Sequence, residues 1–338
     1  MLALLSKLLL ESPQKTLWIA DENSKPLLTG GFNFPGTLLS NRWDIAGQAM
    51  RCGIESHFND FDIAAIGKTF ERIIYPVSKE KAAVHHLINS AAELLPAGSE
   101  LLLLGEKNSG IKTYAKKAAQ RFGCGKDLQK HGSDYLSISV RSVAPAGAPL
   151  DDSHYQALQQ PDALAGLFSK PGQFGWNKID TGSALLAQHF AAHLPEAGAT
   201  SVDLGCGYGY LSARLAALGR FRIIATDNNA AALHACEKNF AELGIEGEVV
   251  AGDAGSQIET GSADFLICNP PFHQGFQVEG DLTDRFLQQA ARILHPGGNA
   301  LFVVNEFIPV ARKAQGLFAK VEPLEKTQGF CIYHLQKT

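Results

Sequence analysis

The chain has 338 residues, 45% of them hydrophobic, and a formal net charge of −4. This length and composition predict a folded protein of about two domains, because one domain averages roughly 150 residues. No run approaches the ~18 uninterrupted apolar residues of a membrane span. Lys7 interrupts the apolar start, which favours an amphipathic first helix over a signal peptide. The composition therefore argues against a membrane protein and predicts a cytoplasmic one.

The charge is divided unevenly along the chain. Residues 1–150 carry 17 Lys and Arg against 14 Asp and Glu, a net charge of +3, whereas residues 151–338 carry 13 against 20, a net charge of −7. Phosphate contacts need clustered cations, so charge gives only weak support for nucleic-acid binding by the first half. The six cysteines form no C-x-x-C pair. We therefore expect no zinc site, no disulfide framework and no bound metal. We also expect the protein to be a monomer.

The first half alternates predicted strands and helices. Helical patterns cover about 78–95 and 111–122. The predicted strands are TLWIAD, FDIAAI, RIIYPV and LLLL. We therefore expect an α/β domain over residues 1–150. The stretch that follows is rich in Pro, Ala, Gly and Asp and predicts a linker over 151–170.

The second half, from residue 171 to 338, alternates more regularly. The predicted strands are ATSVDL, FRIIAT, GEVVAG, ADFLIC and NALFVV, followed by a final helix and two terminal strands. Such alternation predicts βαβ units and a mostly parallel, doubly wound sheet. Ligands of these sheets bind at the carboxyl ends of the strands, so the residues there form the candidate site.

The first of these strand ends continues as DLGCGYG, with Asp203, Gly205, Gly207 and Gly209 at alternate positions. Glycines at such a turn let the backbone bend sharply and approach a ligand, and the helix that follows offers free N–H groups. A dinucleotide fingerprint would need glycine where the chain has Tyr210. The pattern therefore favours a ligand without a pyrophosphate.

Acidic residues end the next two strands. Asp227 lies 22 residues after Gly205 and is placed to accept both hydroxyls of a ribose, although capping of the helix from Asn229 explains it equally well. Asp253 ends the following strand, where it fits either a simple turn or an acceptor for an adenine amino group. We include Asp253 and the adjacent Ala254 in the predicted cofactor site.

The predicted strand ADFLIC is followed directly by Asn269, Pro270, Pro271 and Phe272. Proline removes ladder hydrogen bonds, so two prolines here indicate a backbone held rigid. The Asn269 oxygen and the Pro270 carbonyl can accept both protons of one planar NH₂ group, and Phe272 offers a flat face for a base. We therefore predict that Asn269, Pro270 and Phe272 hold an exocyclic amine against an electrophile and are catalytic.

These strand ends resemble those of the class I S-adenosylmethionine-dependent methyltransferases, and Asn-Pro-Pro-Phe resembles their amino-methylating branch. The stretches LFSKPGQFGWNKIDTGSALL, NPPFHQG and LLLLGEKNSGIKTYAKKA extend the similarity to the two-domain ribosomal RNA guanine-N2 methyltransferases. These are the small-subunit methyltransferase C family, and the G family of large-subunit methyltransferases is a close relative. The resemblance covers most of the chain and is strongest from about 167 to 335.

The resemblance implies two tandem Rossmann-like methyltransferase domains, the first degenerate and without cofactor. It implies S-adenosylmethionine at the strand ends of the second domain, Asn269 included, and methylation of a guanine N2 in the ribosomal RNA of an assembled or assembling small subunit. Pro271 and His273 are expected to line the substrate site. Lys112, Lys116 and Lys117, on a basic helix of the first half, are expected to contact RNA phosphates, although a solvated helix face explains these lysines equally well.

Other acceptors and other classes of protein stay open at this point. A guanine of large-subunit RNA, an adenine or a protein glutamine would suit the same amine site. A nicotinamide-dependent oxidoreductase would share the fold and Asp227 but has no use for Asn-Pro-Pro-Phe. A noncatalytic RNA-binding protein is expected to lose both the glycine turn and Asn269.

Overall fold

The computed structural model divides the chain into two compact units, Met1–Ala157 and Leu158–Thr338. Each unit is built around one seven-stranded sheet. The structure describes residues 1–12, 14–143, 147–271 and 276–338, the side chains of 276–281 excepted. Within these ranges, none of the helices is both long and apolar enough to cross a bilayer.

Unit 1 forms a mixed sheet flanked by α-helices. The helices are α1 (Leu2–Leu10), α2 (Lys25–Thr29), α3 (Trp43–Arg51), α4 (Lys81–Leu94) and α5 (Ile111–Phe122). The strands are β1 (Thr16–Ile19), β2 (Thr37–Ser40), β3 (Glu55–Phe58), β4 (Arg72–Pro76), β5 (Glu100–Glu106), β6 (Asp127–His131) and β7 (Asp134–Val140). Their order is β3-β2-β1-β4-β5-β7-β6, and β7 runs antiparallel to both of its neighbours.

Apolar side chains cover both faces of the unit 1 sheet. Along β1, Leu17 and Ile19 join the apolar cluster formed with α4 and α5, whereas Trp18 joins the cluster formed with α1 and α3. Side chains alternate between the two faces of a strand, so a strand buried on both faces reads as a continuous apolar run. Leu5 and Leu9, one helical turn apart on α1, are fully buried, which agrees with the predicted amphipathic helix.

The predicted strand FDIAAI is wrong. Phe61 and Ile63 are buried, at 4% and 3% exposure, but residues 64–66 form a 3-10 turn. The strands on that side of the sheet are β2, of only four residues, and β3, whose sequence ESHF is polar because it lies at the sheet edge. Apolar patterning therefore located the buried residues but gave them the wrong backbone.

Unit 2 has the same construction. Its helices are α6 (Thr181–Gln188), α7 (Tyr210–Ala216), α8 (Ala230–Leu243), α9 (Phe276–Ile293) and α10 (Val310–Lys313). Its strands are β8 (Thr200–Leu204), β9 (Arg222–Asp227), β10 (Gly247–Ala251), β11 (Ala263–Cys268), β12 (Leu294–Asn305), β13 (Phe318–Thr327) and β14 (Phe330–Lys337). Their order is β10-β9-β8-β11-β12-β14-β13, with β14 antiparallel to both of its neighbours.

The two sheets have the same strand order, position for position. This repetition confirms the prediction of two tandem α/β units. The units differ where β1 and β8, the equivalent first strands, end. In unit 2 a turn with three glycines follows β8, whereas in unit 1 β1 leads through Ala20 and Asp21 into a 3-10 turn, Glu22–Ser24.

The residues predicted as a linker, 151–170, are folded onto the two units. Tyr155 is fully buried in unit 1, and Lys170 is 1% exposed in unit 2. The main chains of Gln159 and Ser169 exchange two hydrogen bonds of 2.8 Å. The boundary between the units falls after Ala157.

Candidate active site

The candidate site of unit 2 lies where the order of the strands reverses. β8 and β11 are neighbours in the middle of the sheet, and the strands that follow them are added on opposite sides. The connections therefore leave on opposite faces, which opens a crevice at the carboxyl ends of the two strands. Cys268, the last residue of β11, pairs with Leu204, the last residue of β8. Residues that directly follow these strands share the crevice.

Three glycines form the turn between β8 and α7. Gly205, Gly207 and Gly209 have φ of 81°, 55° and 84°, in the left-handed region that residues with a Cβ rarely adopt. A Cβ on Gly209 would lie 2.8 Å from Cys236 Sγ on α8, so this approach requires glycine. A Cβ on Gly207 would meet no described heavy atom within 4 Å. The turn thus packs against α8 and leaves space beside Gly207.

Asp203 is fully buried at the end of β8. Its Oδ2 accepts hydrogen bonds from the main-chain N–H of Ser212 at 3.0 Å and from Ser212 Oγ at 2.6 Å, which ties the strand to α7. Its Oδ1 accepts none from the described residues. Burial raises the pKa of Asp203 to about 7, and the negative charge of Asp227 contributes to the rise.

Asp227 holds the glycine turn from the end of β9. Its Oδ2 accepts from the Gly207 N–H at 3.0 Å, and its Oδ1 accepts from the Asn229 N–H at 2.9 Å. The N-cap of α8 is Asn229 itself, whose side chain accepts from the Ala231 N–H. Helix capping is therefore not the role of Asp227, and its carboxylate lies against the turn that the sequence predicts to meet a ligand.

Asp253 and Ala254 follow β10 at the same edge of the sheet. Asp253 Oδ2 forms an ion pair of 2.8 Å with Arg285 Nη1 of α9, a partner that the sequence did not suggest. Ala254 is 6% exposed and has a positive φ of 49°. The predicted contact of both residues with a cofactor stays a prediction.

Two asparagines hold the segment before α6, one against the glycine turn and one against the start of α8. Asn239 of α8, 1% exposed, donates to the carbonyls of Phe168 and Tyr208 at 2.8 Å each. Asn229 Nδ2 donates to the carbonyl of Gly172 at 2.8 Å. The sequence gives no signal for these contacts, because their partners are backbone carbonyls far away along the chain.

Asn269, directly after β11, is half-buried. Its Nδ2 donates to Asp180 Oδ2 and to Ser183 Oγ, both at 2.8 Å. Its Oδ1 is buried and accepts no hydrogen bond from any described residue. A buried polar atom left in this way costs on the order of 1–3 kcal/mol. The Asn269 oxygen is therefore an unused acceptor among the described residues. Of the two prolines that follow, Pro270 is buried and Pro271 is exposed.

Asp180 and Ser183 were not among the predicted site residues. Asp180 is the N-cap of α6, since its Oδ2 accepts from the Ser183 N–H at 2.9 Å. An aspartate directly before an apolar helix is an N-cap signature that could have located Asp180. Nothing in the local sequence indicates that this carboxylate also faces Asn269, 89 residues away.

The three lysines predicted to contact substrate lie on α5 of unit 1. Lys112 and Lys116 are exposed, and the Lys112 ammonium lies 5.0 Å from the centre of the Tyr135 ring. Lys117 is half-buried and donates to His85 Nε2 at 3.0 Å. Two of the three lysines are therefore presented to solvent, and the third is held within unit 1.

Two predicted site residues, Phe272 and His273, lie outside the described residues. In the part of the chain that the structure describes, no group of three or more His, Cys, Asp or Glu side chains could hold a metal ion.

Comparison with protein families matches both units. Residues 165–334 match the family model described as methyltransferase small domain, and residues 36–133 match the model described as methyltransferase small domain N-terminal. Together with the sheet order, the glycine turn and the Asn-Pro-Pro strand end, these matches define a methyltransferase with two units of the same fold.

Curated relatives give the particular family. The chain is 31% identical over 296 residues to ribosomal RNA small subunit methyltransferase C of Pseudomonas putida, which covers 86% of each chain. It is 30% identical over 273 residues to the protein of that name from Shewanella loihica, covering 80% of this chain and 78% of the relative. The chain belongs to the ribosomal RNA small subunit methyltransferase C family, which confirms the resemblance found in the sequence.

A solved structure shares the fold over almost the whole chain. It is a 16S rRNA N2-guanine methyltransferase of T. thermophilus in complex with AdoMet and guanosine. The TM-score is 0.80 at 21% identity, and the match covers 99% of this chain and 91% of the other. The two-unit architecture is therefore shared with that enzyme.

Proposed function

We propose that this chain transfers a methyl group from S-adenosylmethionine to the exocyclic N2 of a guanine in small-subunit ribosomal RNA. The observation that carries the proposal is the amide of Asn269. Its buried oxygen accepts no hydrogen bond from the described residues, whereas its nitrogen already donates to Asp180 and Ser183. A fixed acceptor of this kind suits a planar NH₂ group. The names of the curated relatives supply the class of RNA.

The residues around the glycine turn fit S-adenosylmethionine. Asp203 Oδ1 is buried and accepts no hydrogen bond from the described residues, and it would accept one from the ammonium group of the cofactor. Asp227 would accept hydrogen bonds from the ribose hydroxyls, and Asp253 and Ala254 would lie beside the adenine. The space beside Gly207 is where the backbone could approach the ligand. Bound there, the cofactor supplies a methyl group made electrophilic by its sulfonium.

Asn269 and Pro270 would activate the acceptor amine. Guanine N2 is a weak nucleophile because its lone pair is delocalised into the ring. Hydrogen bonds from its two protons to the Asn269 oxygen and the Pro270 carbonyl favour a more pyramidal nitrogen and stabilise the positive charge that develops on it. The proline rings fix both acceptors in advance. S-adenosylhomocysteine is the leaving group, and the methylated nitrogen then loses its extra proton to solvent water. Phe272 would stack on the guanine once it is splayed out of the RNA.

Cofactor binding should release a proton near pH 6. Burial raises the pKa of Asp203 to about 7, so this carboxyl is mostly protonated at pH 6 in the free protein. A bound ammonium group favours the carboxylate, so S-adenosylhomocysteine should expel up to about one proton at pH 6 and far less at pH 8. Calorimetry in buffers of different ionisation enthalpy measures this release. Asp203→Asn should abolish the pH dependence, and equal release by the wild type at both pH values would contradict the assignment.

A nicotinamide-dependent oxidoreductase is the rival that shares the fold. α7 begins with Tyr210 where the dinucleotide fingerprint has glycine. A ligand that binds only the folded chain raises its melting temperature. S-adenosylhomocysteine should therefore raise Tm and NADH should not. The reverse result would favour the oxidoreductase.

The proposed reaction is tested by mapping methylated nucleosides in ribosomal RNA from cells with and without the gene. We expect one N2-methylguanosine of the small subunit to disappear when the gene is removed. Loss of a methylated adenine, of a methylated guanine in large-subunit RNA or of a methylated protein glutamine would assign a different acceptor. An unchanged methylation pattern in both subunits would favour a noncatalytic RNA-binding protein.

We further propose that unit 1 docks the RNA through α5, where Lys112 and Lys116 are exposed. Lys117 contributes less in this proposal because it is held by His85. Phosphate contacts release counterions, so they make RNA binding salt-dependent. The chain is proposed to act as a monomer in the cytoplasm, on an assembled or assembling small subunit.

The double variant Lys112→Glu, Lys116→Glu should bind RNA more weakly. The slope of its log affinity against log salt concentration should be smaller by about 2. Affinity for S-adenosylhomocysteine should not change. Lys7→Glu with Lys15→Glu is the matched control, since these side chains of unit 1 are 69% and 65% exposed. Equal RNA affinity and equal salt slopes in the two double variants would leave α5 with a structural role.

A further inference from the structure

We propose that Asp180 is a positioning residue for the acceptor amide, an inference that rests on the proposed function of Asn269. Asp180 Oδ2 accepts from Asn269 Nδ2 at 2.8 Å and from the Ser183 main-chain N–H at 2.9 Å. An ionised carboxylate accepts hydrogen bonds and donates none. Only the NH₂ side of the Asn269 amide can therefore face Asp180, and its oxygen must face the other way.

The orientation of this amide decides which kind of ligand the site accepts. A half-turn of an amide exchanges its oxygen and its NH₂ group with little change of shape. An oxygen facing the crevice selects a donor such as an exocyclic amine, whereas an NH₂ group would select a carbonyl or a ring nitrogen. The Ser183 hydroxyl tolerates both orientations, because a hydroxyl donates and accepts. The selection of an amine therefore falls to Asp180.

The Asp180 carboxylate has little freedom to change its orientation. It caps α6, which packs against β12 and β14 of the sheet. A Cβ on Gly182 would lie 3.1 Å from Asp180 Oδ2 and 3.0 Å from Phe330 Cε1, so the carboxylate lies in a tight corner. Its contact with Asn269 is thus set by the fold before any substrate arrives.

The negative charge of Asp180 has a second effect. Linked hydrogen bonds polarise one another, so a carboxylate on Nδ2 makes Oδ1 of the same amide a stronger acceptor. As the bond from the substrate nitrogen to the methyl carbon forms and the carbon–sulfur bond breaks, positive charge moves onto the amine whose protons point at Oδ1. The charge of Asp180 stabilises that state more than it stabilises the neutral amine. The carboxylate takes up no proton in this role.

Three substitutions separate positioning from helix capping. Asp180→Ser keeps a good N-cap but removes the carboxylate from Asn269. Asp180→Asn keeps the size and the cap but removes the charge. Ser183→Ala keeps the Asp180 cap, since the main-chain N–H remains, but removes the second acceptor of Asn269 Nδ2.

We expect kcat to fall about 10²-fold in Asp180→Ser, about tenfold in Asp180→Asn and less than about fivefold in Ser183→Ala. Affinity for S-adenosylhomocysteine should stay within about threefold of the wild type in all three variants, because the lost contacts face the acceptor. Wild-type kcat in a folded, ligand-binding Asp180→Ser variant would overturn the proposal.

The NH₂ group of Asn269 reports on the contact without any turnover. Its NMR signals, identified by their loss in Asn269→Ala, should shift and exchange faster with water in Asp180→Ser. Unchanged signals in that variant would refute the positioning contact itself. A wild-type protein that methylates no RNA would instead refute the proposed function, so the two failures are distinguishable.

Discussion

Replacing Asn269 with alanine is expected to lower kcat for RNA methylation by about 10²-fold or more, the scale for losing one preorganised hydrogen-bonding group. The substitution removes the buried oxygen that is proposed to hold the acceptor amine. Affinity for S-adenosylhomocysteine should stay within about threefold, since this oxygen is aimed at the acceptor. Single-turnover kinetics at saturating cofactor and titration calorimetry measure the two quantities.

Asn299 provides the matched control for this substitution. It pairs with Phe265 near the amino end of β11, away from the edge that carries Asn269, and its Oδ1 lies 2.9 Å from His334 Nε2. Asn299→Ala therefore removes an amide of the same size from the same sheet and should leave kcat unchanged. Near-normal turnover in Asn269→Ala, or equal losses in both variants, would remove Asn269 from the chemistry.

Replacing Asp227 with alanine is expected to weaken S-adenosylhomocysteine binding by about 1.5–3 kcal/mol, roughly 10- to 150-fold. The carboxylate is proposed to accept the ribose hydroxyls. It also orders the turn by accepting from the N–H groups of Gly207 and Asn229 at 3.0 and 2.9 Å. Calorimetry should find one site per wild-type chain, because the glycine turn lies in unit 2.

Asp264 separates the ligand contact of Asp227 from a general loss of stability. Its Oδ2 accepts from the Thr200 N–H at 2.7 Å at the amino ends of β8 and β11. Asp264→Ala therefore removes a carboxylate that holds backbone at the opposite edge, and it should lower Tm without changing affinity for the ligand. Two sites per chain, or unchanged affinity in Asp227→Ala, would contradict the assignment of the cofactor site.

Sequence patterns predicted the strands of unit 2 better than those of unit 1, for a physical reason. β11 coincides with the run ADFLIC, whose last four residues are apolar because this part of the strand is buried on both faces. β3, with the sequence ESHF at a sheet edge, has no such run. Phe61 and Ile63 are buried although their segment is not a strand. Their apolar pattern resembled that of a strand because both side chains pack into the core. An apolar pattern reports burial, and burial alone does not decide the backbone conformation.

The candidate site was predictable as far as strand ends determine it. Parallel strands end at one edge of a sheet, so the amino-acid sequence alone is enough to group Asp203, Asp227 and Asn269. The partners of these residues could not be predicted, because they depend on tertiary packing. Asn269 meets Asp180 across 89 residues, and Asp253 meets Arg285 across 32. Neither contact leaves a trace in local periodicity or composition.

Transfer of a trideuterated methyl group tests most directly whether Asn269 presents a guanine N2 for methylation. The purified chain is incubated with small-subunit ribosomal RNA and labelled S-adenosylmethionine, and the nucleosides are analysed by mass spectrometry. We predict labelled N2-methylguanosine with the wild type and about 10²-fold slower labelling with Asn269→Ala. Label on adenine, no label on RNA, or labelling of guanine at the same rate by both proteins would contradict the proposed reaction.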